Sequence, residues 1–224
     1  MTPKFSAVAF DLDGTLYPNH RLYVKLMPFA VRHWRLLLAF SRARDIIRRE
    51  QKESPELIRT DFYDYQAELT AKILNTPADA TKNKIETLMY RGWEPLFSKV
   101  RLFPEVRELL AELRAAGLKL GLLSDFPPEK KLENLGLAGL WDTVLCSERI
   151  GALKPSVHPF VELADRLGCP PGQILYVGNS RRYDVAGSLQ AGMKAALLSG
   201  RKSGTPTADL TFRHYRQLRD FVLK

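Results

Sequence analysis

The sequence predicts an α/β protein in which a Rossmann-like parallel sheet is interrupted, after its first strand, by an all-helical segment. From residue 100 onward, short apolar runs alternate with helical patterns, which is typical of parallel strands joined by right-handed crossovers. The first apolar run, residues 5–10, is continuously hydrophobic from Ala7 to Phe10, as expected for a strand buried on both faces. Between Tyr17 and Val100 the sequence contains no strand pattern, and helical periodicity fills this stretch.

Three helices are expected in the segment that follows the first strand. Apolar residues at helical spacing predict a long first helix that starts at Pro28, because proline suits a first helical turn. Ser54-Pro55-Glu56 predicts the start of a second helix over residues 57–74. A third helix covers about residues 78–91, and Gly92-Trp93-Glu94-Pro95 breaks the pattern.

The first of these helices carries a basic stripe, formed by Arg32, Arg35, Arg42 and Arg49. A stripe of this kind most often indicates a solvated helix face. Two alternatives stay open: an electropositive lid over a phosphate site and, with Trp34 near the apolar face, a helix that lies on a membrane surface.

After residue 100 the alternation predicts the remaining strands and helices of the sheet. The strands are residues 118–123, 143–146, 174–177 and 195–198. The helices are residues 104–116, 129–135 and 156–167, and one that ends near residue 191. Residues 199–207 form a Gly/Ser/Thr-rich loop, and a short segment, residues 209–212, and a helix from His214 close the chain.

Composition limits the class of protein. With 224 residues, 45% hydrophobic and 26% charged, the chain has the balance of an ordinary soluble protein. The two cysteines, Cys146 and Cys169, fit neither a metal spacing nor a disulfide framework, which favours a reducing cytoplasm. We expect neither a secretory signal nor a membrane span. The net charge of +9 suggests an anionic partner, such as a phosphorylated substrate, nucleic acid or an acidic membrane.

Polar residues follow the predicted strands in four clusters. They are Asp11 with Asp13, Ser124 with Asp125, Lys154 in its loop, and Asn179 with Asp184. Because the carboxyl ends of parallel strands share one edge of a sheet, we expect these clusters to converge there, where open α/β folds bind ligands.

With these motifs in this order, the sequence strongly resembles the haloacid dehalogenase superfamily, in its phosphatase branch. Asp11-Leu12-Asp13-Gly14-Thr15-Leu16 matches the first motif, Leu122-Leu123-Ser124-Asp125 the second, Lys154-Pro155 the third, and Gly178-Asn179-Ser180 through Asp184 the fourth. The resemblance implies a core domain, residues 1–17 and 100–224, and a helical cap domain, residues 18–99. It also implies Mg²⁺-dependent hydrolysis of a small phosphorylated metabolite.

The chemistry of phosphoryl transfer is consistent with this resemblance. Asp11 is the candidate nucleophile that forms an aspartyl-phosphate, and Asp13 is the candidate general acid and base. Lys154, the Ser124 hydroxyl and backbone N–H groups after the first two strands, including that of Asp125, would bind the phosphate.

A Mg²⁺ ion would bridge Asp11 to the phosphate. The resemblance implies that the ion also takes the backbone carbonyl of Asp13 and a carboxylate of the fourth motif. This chain has Asn179 where the family usually has aspartate. We therefore expect Asn179 and Asp184 to complete the metal site, with weakened affinity for Mg²⁺.

Three alternatives accompany the phosphatase prediction. A 2-haloacid dehalogenase is disfavoured by Asp13, because dehalogenases that resemble these phosphatases lack the second aspartate. A phosphomutase would use Asp13 as well. A weakly active protein whose basic cap binds an anionic partner is suggested by Asn179 and the Arg-rich helix, although a nucleic-acid partner is not expected.

Overall fold

In a computed structural model, which describes residues 4–98, 100–200 and 207–224, six parallel strands form one sheet. The strands are β1 (Ala7–Phe10), β2 (Lys119–Ser124), β3 (Thr143–Cys146), β4 (Ile174–Gly178), β5 (Lys194–Leu198) and β6 (Leu210–Phe212). Their order across the sheet is β3-β2-β1-β4-β5-β6, so β1 lies at the centre between β2 and β4. The predicted Rossmann-like α/β fold is confirmed, and segment 209–212 supplies the sixth strand.

Helices fill the stretch between β1 and β2 and cover both faces of the sheet. They are α1 (Asn19–Arg32), α2 (Trp34–Glu53), α3 (Phe62–Leu74), α4 (Ala78–Lys84), α5 (Gly92–Phe97), α6 (Val106–Ala115), α7 (Glu129–Asn134), α8 (Ser147–Ile150), α9 (His158–Leu167), α10 (Ala186–Gln190) and α11 (Tyr215–Leu223). Wider, π-helical turns cover Ile85–Arg91 and Arg181–Val185, and Pro171–Gln173 is a 3₁₀ turn. In the part of the chain that the structure describes, no helix combines the length and the apolar character needed to cross a bilayer.

The central strand β1 is buried on both sides. Alternate residues point to opposite faces of a strand. Val8 and Phe10 therefore pack in one cluster with residues of α6 and α11, whereas Ala7 and Ala9 pack in a second cluster with α9. All four side chains are excluded from solvent, which agrees with the continuous hydrophobic run in the sequence. This packing holds the end of β1 at a defined place on the carboxyl edge.

The helix boundaries differ from the prediction at Pro28. Helix α1 continues through Pro28, and the break falls at His33 instead. Leu22 and Leu26 are buried and hold the turns before the proline against the rest of the protein. The carbonyl of Val24, which loses its hydrogen bond to residue 28, belongs to an exposed residue, so water can solvate it.

Two further helix boundaries are also different. Helix α3 begins at Phe62, whereas the prediction began at residue 57. The preceding segment packs its backbone on the loop after α8, where the Arg59 N–H donates to the Gly151 carbonyl at 3.0 Å. The break predicted at residues 92–95 is absent, because α5 continues to Phe97, which is buried in the same cluster as β1. Of the Gly/Ser/Thr-rich loop, residues 201–206 lie outside the described residues, and the division into core and cap stays a prediction.

Candidate active site

The turn after β1 places two carboxylates at the carboxyl edge of the sheet. Asp11 directly follows the strand, and its N–H donates to the Val177 carbonyl of β4 at 2.9 Å. The chain turns at Gly14, whose φ of 84° lies in the left-handed region that glycine tolerates. A Cβ at this position would collide with the side chains of Asn179 and Asn19. The backbone conformation therefore favours glycine here, and any larger residue would also displace these two side-chain amides.

Lys154 joins the first and fourth motifs in a buried ionic cluster. Its Nζ lies 2.7 Å from Asp11 Oδ1 and 2.7 Å from Asp184 Oδ1. It also donates to the Tyr176 hydroxyl at 3.2 Å, and Thr15 Oγ1 donates to Asp11 Oδ2 at 2.7 Å. The cluster holds two carboxylates and one ammonium group, so with all three charged it carries a net negative charge.

Burial and the neighbouring charges set the proton affinities in this cluster. Burial raises the pKa of Asp11 from 3.8 to about 7; Lys154 opposes this effect, and the nearby carboxylates of Asp184 and Asp13 add to it. Burial alone would lower the pKa of Lys154, but the Asp11 and Asp184 carboxylates raise it well above its ordinary value. Lys154 is therefore a fixed cation at this edge of the sheet.

Asp13 faces a cavity and is held by two side chains, Lys131 and Tyr17, that belong to none of the four sequence motifs. Lys131 of α7 lies with its Nζ 2.6 and 2.8 Å from the two carboxylate oxygens of Asp13, and the Tyr17 hydroxyl donates to Asp13 Oδ1. The Asp13 side chain is only partly buried, in contrast to Asp11. It is therefore oriented by Lys131 and Tyr17 while it stays accessible from the cavity.

The carboxylate of Asp125 contacts arginines of α2. Asp125 Oδ2 lies 2.9 Å from Arg48 and 3.3 Å from Arg44, and its Oδ1 accepts from the Lys154 backbone N–H at 3.1 Å. Burial alone would raise the pKa of Asp125. The positive charges of Arg48, Arg44 and Lys154 outweigh burial and hold this pKa below its ordinary value. A carboxylate held in this way repels phosphate, so a phosphate-binding role for residue 125 would rest on its backbone.

Ser124 is the last residue of β2 and is fully buried. Its Oγ accepts from the Phe126 N–H at 3.2 Å, which leaves the hydroxyl hydrogen free to donate in another direction. Ser124 ends β2 and Asp11 directly follows β1, and these two strands are neighbours in the sheet. The geometry thus brings the first, second and third motifs to one edge.

The fourth motif brings Asp184 and Asn179 to the same edge in different ways. Asp184 is buried, and its Oδ2 accepts from the backbone N–H groups of Asn179 and Ser180 at 3.1 and 2.9 Å. Asn179 is exposed, and its amide nitrogen donates to the Asp13 carbonyl at 3.3 Å. A Cβ at position 178 would overlap the Asp184 side chain, so glycine is needed at the end of β4.

The oxygen donors at this edge fit a hard divalent cation. They are the Asp11 carboxylate, the Asp13 carbonyl and the Asn179 amide beside it. The Asp184 carboxylate lies close to Asp11, because Lys154 contacts both. No cluster of three or more His, Cys, Asp or Glu side chains among the described residues could hold a metal by itself. A cation that keeps several waters and uses one or two carboxylates plus substrate oxygens does not require one.

A cavity of about 530 Å³ opens beside Asp13 and Lys131. Helices α1, α5 and α7 and the turn at residues 85–91 contribute to its wall. Its apolar lining includes Leu22, Leu26, Tyr90, Trp93, Phe97 and Phe126. A volume of this size is within the range of small-molecule sites.

The basic stripe lies away from this cavity. Arg32, Arg35, Arg42 and Arg49 are exposed, and none of them lines the cavity. The arginines of α2 that do approach the site are Arg44 and Arg48, on the opposite, buried side of the helix. The structure therefore favours the solvated face over the electropositive lid. Lys131, Arg44 and Arg48 carried no sequence signal, because they belong to helices whose orientation toward the sheet depends on packing.

Taken together, the parallel sheet and its acidic carboxyl edge define an α/β protein of the Rossmann-like class with a ligand site at that edge. A model of the haloacid dehalogenase-like hydrolase family matches residues 5–192. The chain belongs to this family and is an enzyme. The predicted resemblance is therefore confirmed.

Similar proteins include phosphatases that act on small metabolites. The chain is 29% identical over 191 residues to glyceraldehyde 3-phosphate phosphatase of Methanopyrus kandleri. The matched region covers 84% of this chain and 81% of the relative. It is 27% identical over 190 residues to phosphoglycolate phosphatase of Haemophilus influenzae, with 84% and 83% covered.

Solved structures share the fold over nearly all of the chain. A HAD phosphatase of Thermococcus onnurineus superposes with a TM-score of 0.65 at 25% identity, over 96% of this chain and 97% of that one. L-2-haloacid dehalogenase of Xanthobacter autotrophicus superposes with a TM-score of 0.67 at 18% identity, over 98% of each chain. The second likeness concerns the fold alone.

Proposed function

We propose that the protein is a Mg²⁺-dependent phosphatase that hydrolyses a small phosphorylated metabolite through an aspartyl-phosphate on Asp11. The observation that carries the proposal is the arrangement of Asp11 and Asp13, with Asp11 bound to a buried lysine and Asp13 facing the cavity. The named phosphatases among its relatives support the same reaction class.

In the first half-reaction, a carboxylate oxygen of Asp11 attacks phosphorus and the bond from phosphorus to the leaving oxygen breaks. Asp13 donates a proton to the departing alkoxide. In the second half-reaction, Asp13 takes a proton from water, the water oxygen attacks phosphorus, and inorganic phosphate and the free Asp11 carboxylate form. Lys154 stabilises the negative charge beside Asp11 throughout.

Asp11, the carbonyl of Asp13, Asn179 and Asp184 are the residues that would hold Mg²⁺. When bound, the ion supplies positive charge that offsets the repulsion between the phosphate and Asp11. It would also favour the ionised form of Asp11, whose pKa is about 7 without it. Asp11 needs this form to act as a nucleophile.

The test is release of inorganic phosphate from a panel of small phosphomonoesters, including phosphoglycolate and glyceraldehyde 3-phosphate, with and without Mg²⁺. We expect activity that requires Mg²⁺ and disappears in Asp11→Asn. Asp165→Asn, an exposed aspartate of α9, is the matched control and should keep full activity.

Three results would overturn the proposal. Phosphate release that persists in Asp11→Asn would exclude the covalent step on this residue. Halide release from a 2-haloacid, without phosphatase activity, would identify the dehalogenase alternative. A folded protein that hydrolyses none of the panel, even at high Mg²⁺, would favour the weakly active alternative.

A further inference from the structure

Large apolar side chains are exposed along α1 and the beginning of α2. Val24 is 70% exposed, Met27 57%, Val31 70%, Trp34 58% and Leu38 49%. The spacing of three or four residues within each helix places these side chains on one helix face. The two helices follow each other with only His33 between them. Five large apolar side chains exposed at this spacing on consecutive helices favour an interaction site.

The opposite face of the same helices is already packed. Leu22 and Leu26 of α1 and Leu36 and Phe40 of α2 are buried. Leu22 and Leu26 also line the cavity beside Asp13. The exposed side chains are therefore not needed for the contacts that hold these helices in place, and their face is available to a partner.

The charged residues of α1 and the first half of α2 have one sign. From Gly14 to Arg44 the sequence contains no aspartate or glutamate. It contains six Lys or Arg residues: Arg21, Lys25, Arg32, Arg35, Arg42 and Arg44. Arg32, Arg35 and Arg42 are exposed, whereas Arg44 points inward to Asp125 and Glu148. The exposed apolar face is therefore flanked by Arg32, Arg35 and Arg42, and the helices that form it contribute no acid up to Arg44.

We propose that this surface, formed by α1 and the first half of α2, docks on an anionic phospholipid membrane. Exposed valine, methionine, tryptophan and leucine side chains would enter the boundary between headgroups and acyl chains, while the arginines pair with lipid phosphates. A second copy of this chain is disfavoured, because an isologous contact would bring the same cations together. Nucleic acid supplies phosphates but no apolar region for the five exposed side chains.

The test is co-sedimentation of the full chain with phosphatidylcholine vesicles and with vesicles of equal parts phosphatidylcholine and phosphatidylglycerol. We expect binding to the anionic vesicles only, weakened by salt. The double variant Val31→Glu, Trp34→Glu should lower the vesicle partition coefficient by about tenfold or more, because it removes two inserted side chains and adds negative charge. Val161→Glu, at an exposed valine of α9, is the matched control and should bind as the unaltered protein does.

Two additional measurements distinguish insertion of the apolar side chains from electrostatic attraction to the lipid headgroups. On binding, the emission of Trp34 should shift to shorter wavelength, a change that Trp34→Phe removes. Arg32→Gln, Arg35→Gln, Arg42→Gln should abolish the preference for anionic vesicles. Circular dichroism verifies that each variant is folded, which is expected because all of the altered side chains are exposed.

The proposal is wrong if the protein fails to bind anionic vesicles, or if the double glutamate variant binds them as well as the unaltered protein. It is also wrong if analytical ultracentrifugation shows a dimer that the double variant dissociates, since the apolar face would then be covered by a second copy. Tight, salt-sensitive binding to nucleic acid, without vesicle binding, would likewise replace it.

Discussion

The substitution Asp11→Asn should change the stability of the metal-free protein in a pH-dependent way. Burial raises the pKa of Asp11 from 3.8 to about 7, so the folded state binds this proton more tightly than the unfolded state does. The resulting stabilisation is fully present below pH 3.8 and is lost as the pH rises toward and through 7. Above pH 7 Asp11 is ionised in both states, and the buried charge lowers the stability of the folded state relative to the unfolded state.

The size of the effect follows from the two pKa values. A change from 3.8 to about 7 corresponds to on the order of 4 kcal/mol at most. Asparagine is neutral at every pH and similar in shape, and it leaves Lys154 paired with Asp184 at 2.7 Å. We therefore expect Asp11→Asn to exceed the unfolding free energy of the unaltered protein by about 2 kcal/mol at pH 5 and by up to ~4 kcal/mol at pH 8.

The assay is urea unfolding of both proteins in the presence of a chelator at pH 5 and pH 8. The buried carboxyl of Glu148, whose pKa burial also raises to about 7, is present in both proteins and cancels in the difference. Asp184→Asn is the contrasting variant. It should destabilise at both pH values, because Asp184 Oδ2 accepts two backbone N–H groups. A difference between Asp11→Asn and the unaltered protein that is the same at pH 5 and pH 8 would show that Lys154 keeps Asp11 ionised in this range.

Three further predictions concern catalysis. Asp13→Asn should lower kcat/KM for alkyl phosphates by about a hundredfold more than for an aryl phosphate, whose good leaving group needs no proton; equal losses would count against Asp13 as the acid. Lys131→Met should lower kcat/KM for alkyl phosphates by about tenfold, because Asp13 loses two charge-assisted hydrogen bonds that orient it. Lys82→Met is its control, since that exposed ammonium group pairs with Asp64 and does not line the cavity. Asn179→Asp should lower the Mg²⁺ concentration that gives half-maximal activity by about tenfold, and an unchanged requirement would place residue 179 outside the metal site.

The central strands could be predicted because each is a short apolar run that the sheet buries on both faces, as in β1 and β4. The edge strand β6 is only partly buried and has no such run, so residues 209–212 were expected only as a short segment. The helix boundaries could not be predicted with the same accuracy, because tertiary contacts decide them. Pro28 is tolerated inside α1 because Leu22 and Leu26 anchor the preceding turns. Residues 57–61 do not join α3 because the Arg59 backbone binds the Gly151 carbonyl, which is far away in sequence.

The residues of the candidate site likewise fall into a group that the sequence predicts and a group that only the tertiary structure reveals. Asp11, Ser124 and Asp184 lie at or after the ends of parallel strands, and strand order alone brings such residues to one edge. Lys131 and Tyr17 reach Asp13 from positions that no strand end defines. A sequence pattern reports which face of a helix is apolar, but it does not report which residue of another element that face will meet.

Helix α2 shows why two charges on its buried side escaped a prediction based on periodicity. Leu36, Phe40 and Ile47 form the expected apolar face, yet Arg44 lies buried beside them. A buried guanidinium group is unfavourable unless acidic partners compensate for its lost hydration, and these partners, Asp125 and Glu148, are distant in sequence.

Arg48 extends this ionic contact to the loop that bears Lys154. Its Nε donates to the Lys154 carbonyl at 2.9 Å, and its Nη2 lies 2.9 Å from Asp125, whose other oxygen accepts from the Lys154 backbone N–H. The backbone on both sides of the Lys154 side chain is thus held, directly or through Asp125, by one arginine of α2. Because Lys154 in turn contacts Asp11 and Asp184, the position of α2 and the geometry of the acidic edge depend on each other.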